Sequence, residues 1–190
     1  MAELSSIFPF ICFGNLAYRE ELQKQFSMIL PKKKELFKTI SLYMLFVFFL
    51  TIACNLLSAL IKQSLGLPLQ GRNEASIQGA LLKNPFLILV IGCFIGPVVE
   101  ELFFRRFFLR ALLKKFSDFI GIVLTTALFA TLHMHSWTLS EWVTAISYIA
   151  GGFLFSLLYL KKDKNIWYPI VLHCCNNIIA FIITLGFINK

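Results

Sequence analysis

Apolar residues in this chain run in blocks of about twenty, each closed by a short charged or Gly/Pro-containing stretch. Because a bilayer core about 30 Å thick takes roughly 20 residues per helical crossing, the pattern predicts membrane-spanning helices. The first block covers about Leu36 to Ile61, after the basic run Lys32, Lys33, Lys34. A polar connection with Gly66, Pro68 and Gly71 follows from Lys62 to Lys83. The second block begins between Ile77 and Pro85 and continues to Val99, where it meets Glu100 and Glu101 and then the basic, aromatic run Phe103 to Lys115. Gly96 and Pro97 stand just before the acids, so the helix is expected to kink or restart there. Three further blocks cover about Phe119 to Met134, Trp142 to Leu160 and Ile166 to Ile188. Trp137, Trp142, Trp167 and Tyr168 mark their ends, as amphipathic rings do at the headgroup level.

The fold expected is all-α: a polytopic transmembrane bundle of about five spans, with a protruding helical hairpin near 106–121. Residues 1–35 are expected to form an interfacial segment, since the apolar run Ile7 to Phe13 is too short to span. Glu3 stands where a signal peptide would carry a basic residue, which argues against a cleaved leader. Residues 36–190 make the transmembrane domain.

Composition sharpens this. Of 190 residues 58% are hydrophobic, 21 are Phe and mean hydropathy is +0.76, beyond what a water-soluble domain carries. The net charge of +8 raises the question of nucleic acid, but the 18 Lys and Arg fall in clusters between apolar blocks, which is a topology signal. With five spans, 14 of those 18 lie on one side. That distribution puts the N-terminus in the cytoplasm and the C-terminus outside a bacterial-type plasma membrane. Cys12, Cys54, Cys93, Cys174 and Cys175 lack metal-ligand spacing and read as apolar filler.

Ionisable groups within apolar spans are costly and mark functional positions. Here they are Glu100, Glu101, Arg105, His133 and His173. Glu101 and Arg105 are four apart on one helix face and should pair, which leaves Glu100, about 100° around, free to act as a base. If Glu100 and His133 lie on antiparallel helices, the point midway between them falls in the polar turn around Lys114 to Asp118, which sets them level and able to share a water. Phe129, one turn earlier, would pack beneath His133; His135 points away. His173 and Asn177, again four apart, offer two donors to one point, the requirement of an oxyanion hole. Asn176, on another face, is the better candidate for an interhelical contact.

In order, Glu100-Glu101-x-x-x-Arg105, Phe129-x-x-x-His133 and His173-x-x-x-Asn177 resemble the three-motif signature of the CAAX-prenyl-protease and bacteriocin-processing family of intramembrane glutamic proteases. The resemblance covers about 85–183. It implies an endopeptidase acting on a polypeptide, membrane-associated substrate. Glu100 and His133 are then the water-activating pair, His173 and Asn177 the oxyanion donors, and Glu101 and Arg105 the supporting pair, with no cofactor. Arg106 departs from the Gly that follows the motif arginine in many members.

Three other readings compete. A zinc protease could use His133, His173 and a glutamate, although no His-Glu-x-x-His helix is present. A cysteine nucleophile would need Cys174 or Cys175, which lie off the His173 face. A transporter or a bacteriocin-immunity or scaffold protein could hold acids and histidines as a proton relay, but such a relay has no use for Asn177.

Overall fold

The computed structural model describes residues 18–188. All elements among these residues are helical, as the block pattern predicts. The run Ile7 to Phe13 and Cys12 lie outside the described residues.

Helix α1 (residues 18–29) passes through one tight turn, Leu30–Lys32, into α2 (Lys33–Ser64). Pro31 opens that turn, where its missing N–H has no helical partner to lose. Most of α2 faces outward, with Phe37, Phe49 and Leu60 exposed. In lipid such a face costs nothing, because tails are as apolar as the side chains. Gly66, at φ +64°, turns the chain after α2.

The polar connection expected from Lys62 to Lys83 is not all loop. Residues Arg72–Lys83 form a 12-residue helix, α3, opened by extended Gly71 and carrying Glu74 in its first turn. Asn84 then caps α4 (Pro85–Leu112), its side chain accepting the Leu87 N–H, with Pro85 in the first turn.

Helix α4 neither stops nor restarts at Gly96-Pro97. It widens into π-helical turns at Ile91–Ile95 and Leu102–Leu109, on either side of the segment Gly96–Glu101. The first widening has a local cause. The Gly96 N–H reaches back five residues to the Ile91 carbonyl, and in that register the Gly92 carbonyl would be served by residue 97, a proline with no N–H to give.

A turn whose tip, residues 114–120, is exposed leads into α5 (Asp118–Thr131), followed by α6 (Leu139–Lys161) and α7 (Trp167–Ile188). Among the described residues, four helical stretches are long and apolar enough to cross a membrane: Tyr18–Ser64, Pro85–Leu112, Leu139–Lys161 and Trp167–Gly186. The remaining expected span is shorter than the sequence pattern suggests. Helix α5 has 14 residues, about 21 Å at 1.5 Å per residue, because it ends at Thr131 and His133 lies on the turn beyond.

Helix α6 is the hub. Half of its most apolar window is buried, against 11% for the first span. Gly152 explains the closeness of α5: a Cβ there would stand 3.0 Å from Cγ2 and 3.2 Å from Cα of Thr126. A core of Val47, Leu154, Phe155, Leu158 and Leu172 joins α2, α6 and α7.

Residues 18–29 are tied to the α6–α7 turn. Gln25 Oε1 accepts the Ile166 N–H at 2.9 Å, and Trp167 Nε1 donates to the Leu22 carbonyl at 2.9 Å. Glu21 pairs with Arg106 and, at 3.2 Å, with Arg110 on α4. The 106–121 hairpin is thus pinned at its base by the N-terminal helix.

Candidate functional site

The segment Gly96–Glu101, between the two π-helical turns of α4, ends in two adjacent carboxylates with different surroundings. Glu101 and Arg105 are both fully enclosed and paired at 3.1 Å, as their spacing requires. The guanidinium also donates to the Gly152 carbonyl at 3.1 Å. Phe104, Phe129 and Phe155 surround it with ring centroids at 5.5, 5.0 and 5.5 Å, so the cation trades its hydration for ring faces and one carbonyl.

The same Glu101 oxygen, Oε1, is 2.8 Å from Nδ1 of His173. This contact was not anticipated by the helix spacing, which spoke only for Arg105. It fixes the imidazole: Nδ1 donates to the carboxylate, the plane rests on Phe155 at 4.6 Å and 32°, and Nε2 is turned toward Glu100.

Glu100 is a third exposed, and its Oε2 lies 3.9 Å from Nε2 of His173. That is beyond hydrogen-bond reach, and Oε2, although enclosed, has no hydrogen-bond partner among the described residues, as is true of Glu101 Oε2. His133 is not within ion-pair distance of Glu100, so the structure brings His173 closest to this carboxylate rather than the histidine of the second motif.

His133 owes its orientation to the end of α5. Its own N–H bonds to the Ala130 carbonyl at 3.2 Å, in a tightened last turn, which leaves the Phe129 carbonyl without its helical donor. The ring supplies the replacement, with Nδ1 2.7 Å from that oxygen. A carbonyl only accepts, so Nδ1 carries a proton, and in the neutral ring Nε2 is the nitrogen with the lone pair. Phe129 also packs against His133, at 4.6 Å between centroids, as expected.

Asn177 makes the interhelical contact that was expected of Asn176. Asn177 Nδ2 donates to the Gly92 carbonyl at 2.8 Å, the oxygen orphaned by Pro97, and so makes the interhelical contact itself. Asn176 instead supports its neighbour, donating to Asn177 Oδ1 at 3.3 Å. One N–H of the Asn177 amide is thereby committed; the other is not.

The site residues that sequence reasoning missed all lie on α6. Glu141, Tyr148, Gly152, Phe155 and Tyr159 follow one another at three-, four- and seven-residue spacings on one face. Tyr148 stacks on His133 at 4.3 Å and 25°, Gly152 receives Arg105, and Phe155 carries His173. The signal was a stripe of ring-bearing and small residues in an apolar span. It was passed over because Tyr148, Gly152, Phe155 and Tyr159 carry no charge at neutral pH, and Glu141 stands just before the apolar block that begins at Trp142.

His135 sits in the exposed α5–α6 loop, as expected, its Nε2 3.2 Å from Asn73 Oδ1. Cys174 and Cys175 pack against the apolar clusters. Among the described residues, no three His, Cys, Asp or Glu side chains converge in a metal-binding arrangement.

The model of the family described as type II CAAX prenyl endopeptidase, Rce1-like, matches residues 82–179, just over half of the chain. "Putative membrane peptidase YdiL" of Bacillus subtilis (strain 168) is 28% identical over 120 residues, which cover 63% of this chain and 46% of that protein. The chain thus matches less than half the length of this curated relative. No solved structure matches it.

Proposed function

The chain belongs to the type II CAAX prenyl endopeptidase Rce1-like family, and on that premise we propose that it is a membrane endopeptidase that hydrolyses peptide bonds with water activated by Glu100. The observation that carries this reading is the asymmetry of the two carboxylates. Glu101 is fully enclosed and its Oε1 is held by both Arg105 and His173, whereas Glu100 is a third exposed and has no ion-pair partner nearer than the His173 ring nitrogen at 3.9 Å. Only the second is both open to water and free of a cation in contact, as a general base must be.

Glu100 accepts a proton from a water whose oxygen attacks the peptide carbonyl carbon. The Nε2 lone pair of His133 offers that water a second acceptor and fixes its direction. As the tetrahedral centre forms, its oxyanion is met by His173 and by the uncommitted N–H of Asn177. With both ring nitrogens of His173 protonated, Glu100, Glu101, Arg105 and His173 sum to zero charge, the condition under which such a cluster tolerates an apolar surrounding. Collapse of the intermediate expels the amine, which takes the proton held by Glu100.

The substrate is a polypeptide held at the membrane, and the reaction requires no metal. The orientation expected from the basic residues, with the N-terminus cytoplasmic, is part of the same proposal. The test compares peptides from membranes bearing the wild-type and Glu100→Gln proteins. Fragments present only with the wild type, and still formed after exhaustive chelation, are expected. An identical peptide profile would sink the protease reading, and abolition by chelator alone would return zinc to the site.

A further inference from the structure

Helix α3 and the loop before it take no part in the chemistry described above, yet their first residues are tied to the candidate site. Buried Glu141 holds two backbone segments at once: Oε1 accepts the Arg72 N–H at 3.3 Å and Oε2 the His135 N–H at 2.9 Å. Gly71 lies so close to α6 that a Cβ would stand 2.6 Å from Thr144 Cγ2. The start of α3 is therefore fixed against α6 and against the turn that bears His133.

From that fixed point a polar chain leads inward. Asn73 Nδ2 donates to the Tyr148 hydroxyl at 2.8 Å, and Asn73 Oδ1 is 3.2 Å from His135 Nε2. The Tyr148 ring in turn lies stacked on His133, 4.3 Å away at 25°. His133 stands just beyond the end of α5, where its own element holds the imidazole only through the carbonyl and ring of Phe129.

We propose that Tyr148 and Asn73 are positioning residues for His133: the stack sets the ring plane, and Asn73 sets the stack. The Phe129 carbonyl alone cannot do this, since one hydrogen bond leaves the ring free to swing about it. Held between the Tyr148 face and that carbonyl, the imidazole keeps its proton on Nδ1 and its Nε2 lone pair toward the site. The catalytic significance rests on the function proposed above; the orientation itself does not.

The test reads the ring directly. The chain has three histidines, so nitrogen NMR of protein labelled at the imidazoles in detergent resolves each, with His133→Gln and His135→Gln for assignment. Wild-type His133 is expected as a single neutral tautomer protonated at Nδ1. In Tyr148→Leu that pattern is expected to collapse toward a tautomer average, and in Tyr148→Phe and Asn73→Ala to shift part of the way. A purely structural role would lower the unfolding temperature of these variants and leave the His133 nitrogens unchanged, which overturns the proposal. Should Tyr148→Leu fail to fold, unchanged nitrogens in both milder variants overturn it equally. Retention of cleavage by Glu100→Gln would refute the catalytic reading without touching these spectra, so the two failures are distinguishable.

Discussion

Two layers of the same helix bundle, one residue apart on α4, differ in how far their charged groups are paired and shut off from the surroundings. In the closed layer, Glu101 and Arg105 share one another, a histidine nitrogen and a backbone carbonyl, ringed by three phenylalanines. In the open layer, Glu100 is a third exposed with its nearest cationic partner at 3.9 Å, and His133 Nε2 has no hydrogen-bond partner among the described residues. A buried charge is tolerated only when paired, so the closed layer is the one the fold cannot lose. The open layer is where capacity for proton transfer remains. The contrast assigns support to one carboxylate and chemistry to its neighbour.

The largest effect should follow from breaking the closed layer. Arg105→Ala strands Glu101 in an apolar enclosure, at about 3–5 kcal/mol. Loss of a monodisperse, protease-resistant species in detergent is expected, and a well-folded variant would show that the layer is not structural. Glu100→Gln should do the reverse, lowering cleavage by about 10²–10⁴ with no change in thermal unfolding. Unfolding of this variant together with loss of activity would erase the distinction between the layers.

Asn177→Ala touches both functions of one side chain. Cleavage should fall by about 10²–10³ through the lost oxyanion donor. Stability should fall by only about 0.6 kcal/mol for the Gly92 contact; a loss of stability without loss of rate would make Asn177 a tether alone. Gly152→Val should cost about 1–3 kcal/mol by overpacking against Thr126, read as a lowered unfolding temperature. The smallest change belongs to Ser156→Ala. Its hydroxyl donates at 2.7 Å to the Gly152 carbonyl that Arg105 already occupies, so a shift within about 0.5 kcal/mol and unaltered cleavage are expected.

Much was legible along the chain because it depends on spacing within one helix. Block lengths near twenty residues specify spans whatever packs beside them, and a four-residue interval places Arg105 over Glu101 in any helix. The same reasoning overextended α5, since periodicity does not register a tightened last turn. It also treated 72–83 as loop, since a short amphipathic helix of low hydropathy resembles a polar connection.

The sequence by itself determined an all-helical, membrane-spanning chain, the pairing of Glu101 with Arg105 and the seat of His133 above Phe129, all set by helical periodicity and apolar run length. Tertiary structure alone decided that His173 leans on Glu101, that Asn177 answers the carbonyl left bare by Pro97, and that Tyr148 backs His133. Each of those contacts joins residues on different elements, and their meeting depends on how closely small residues such as Gly152 let neighbouring helices approach, a distance that no periodicity along the sequence encodes.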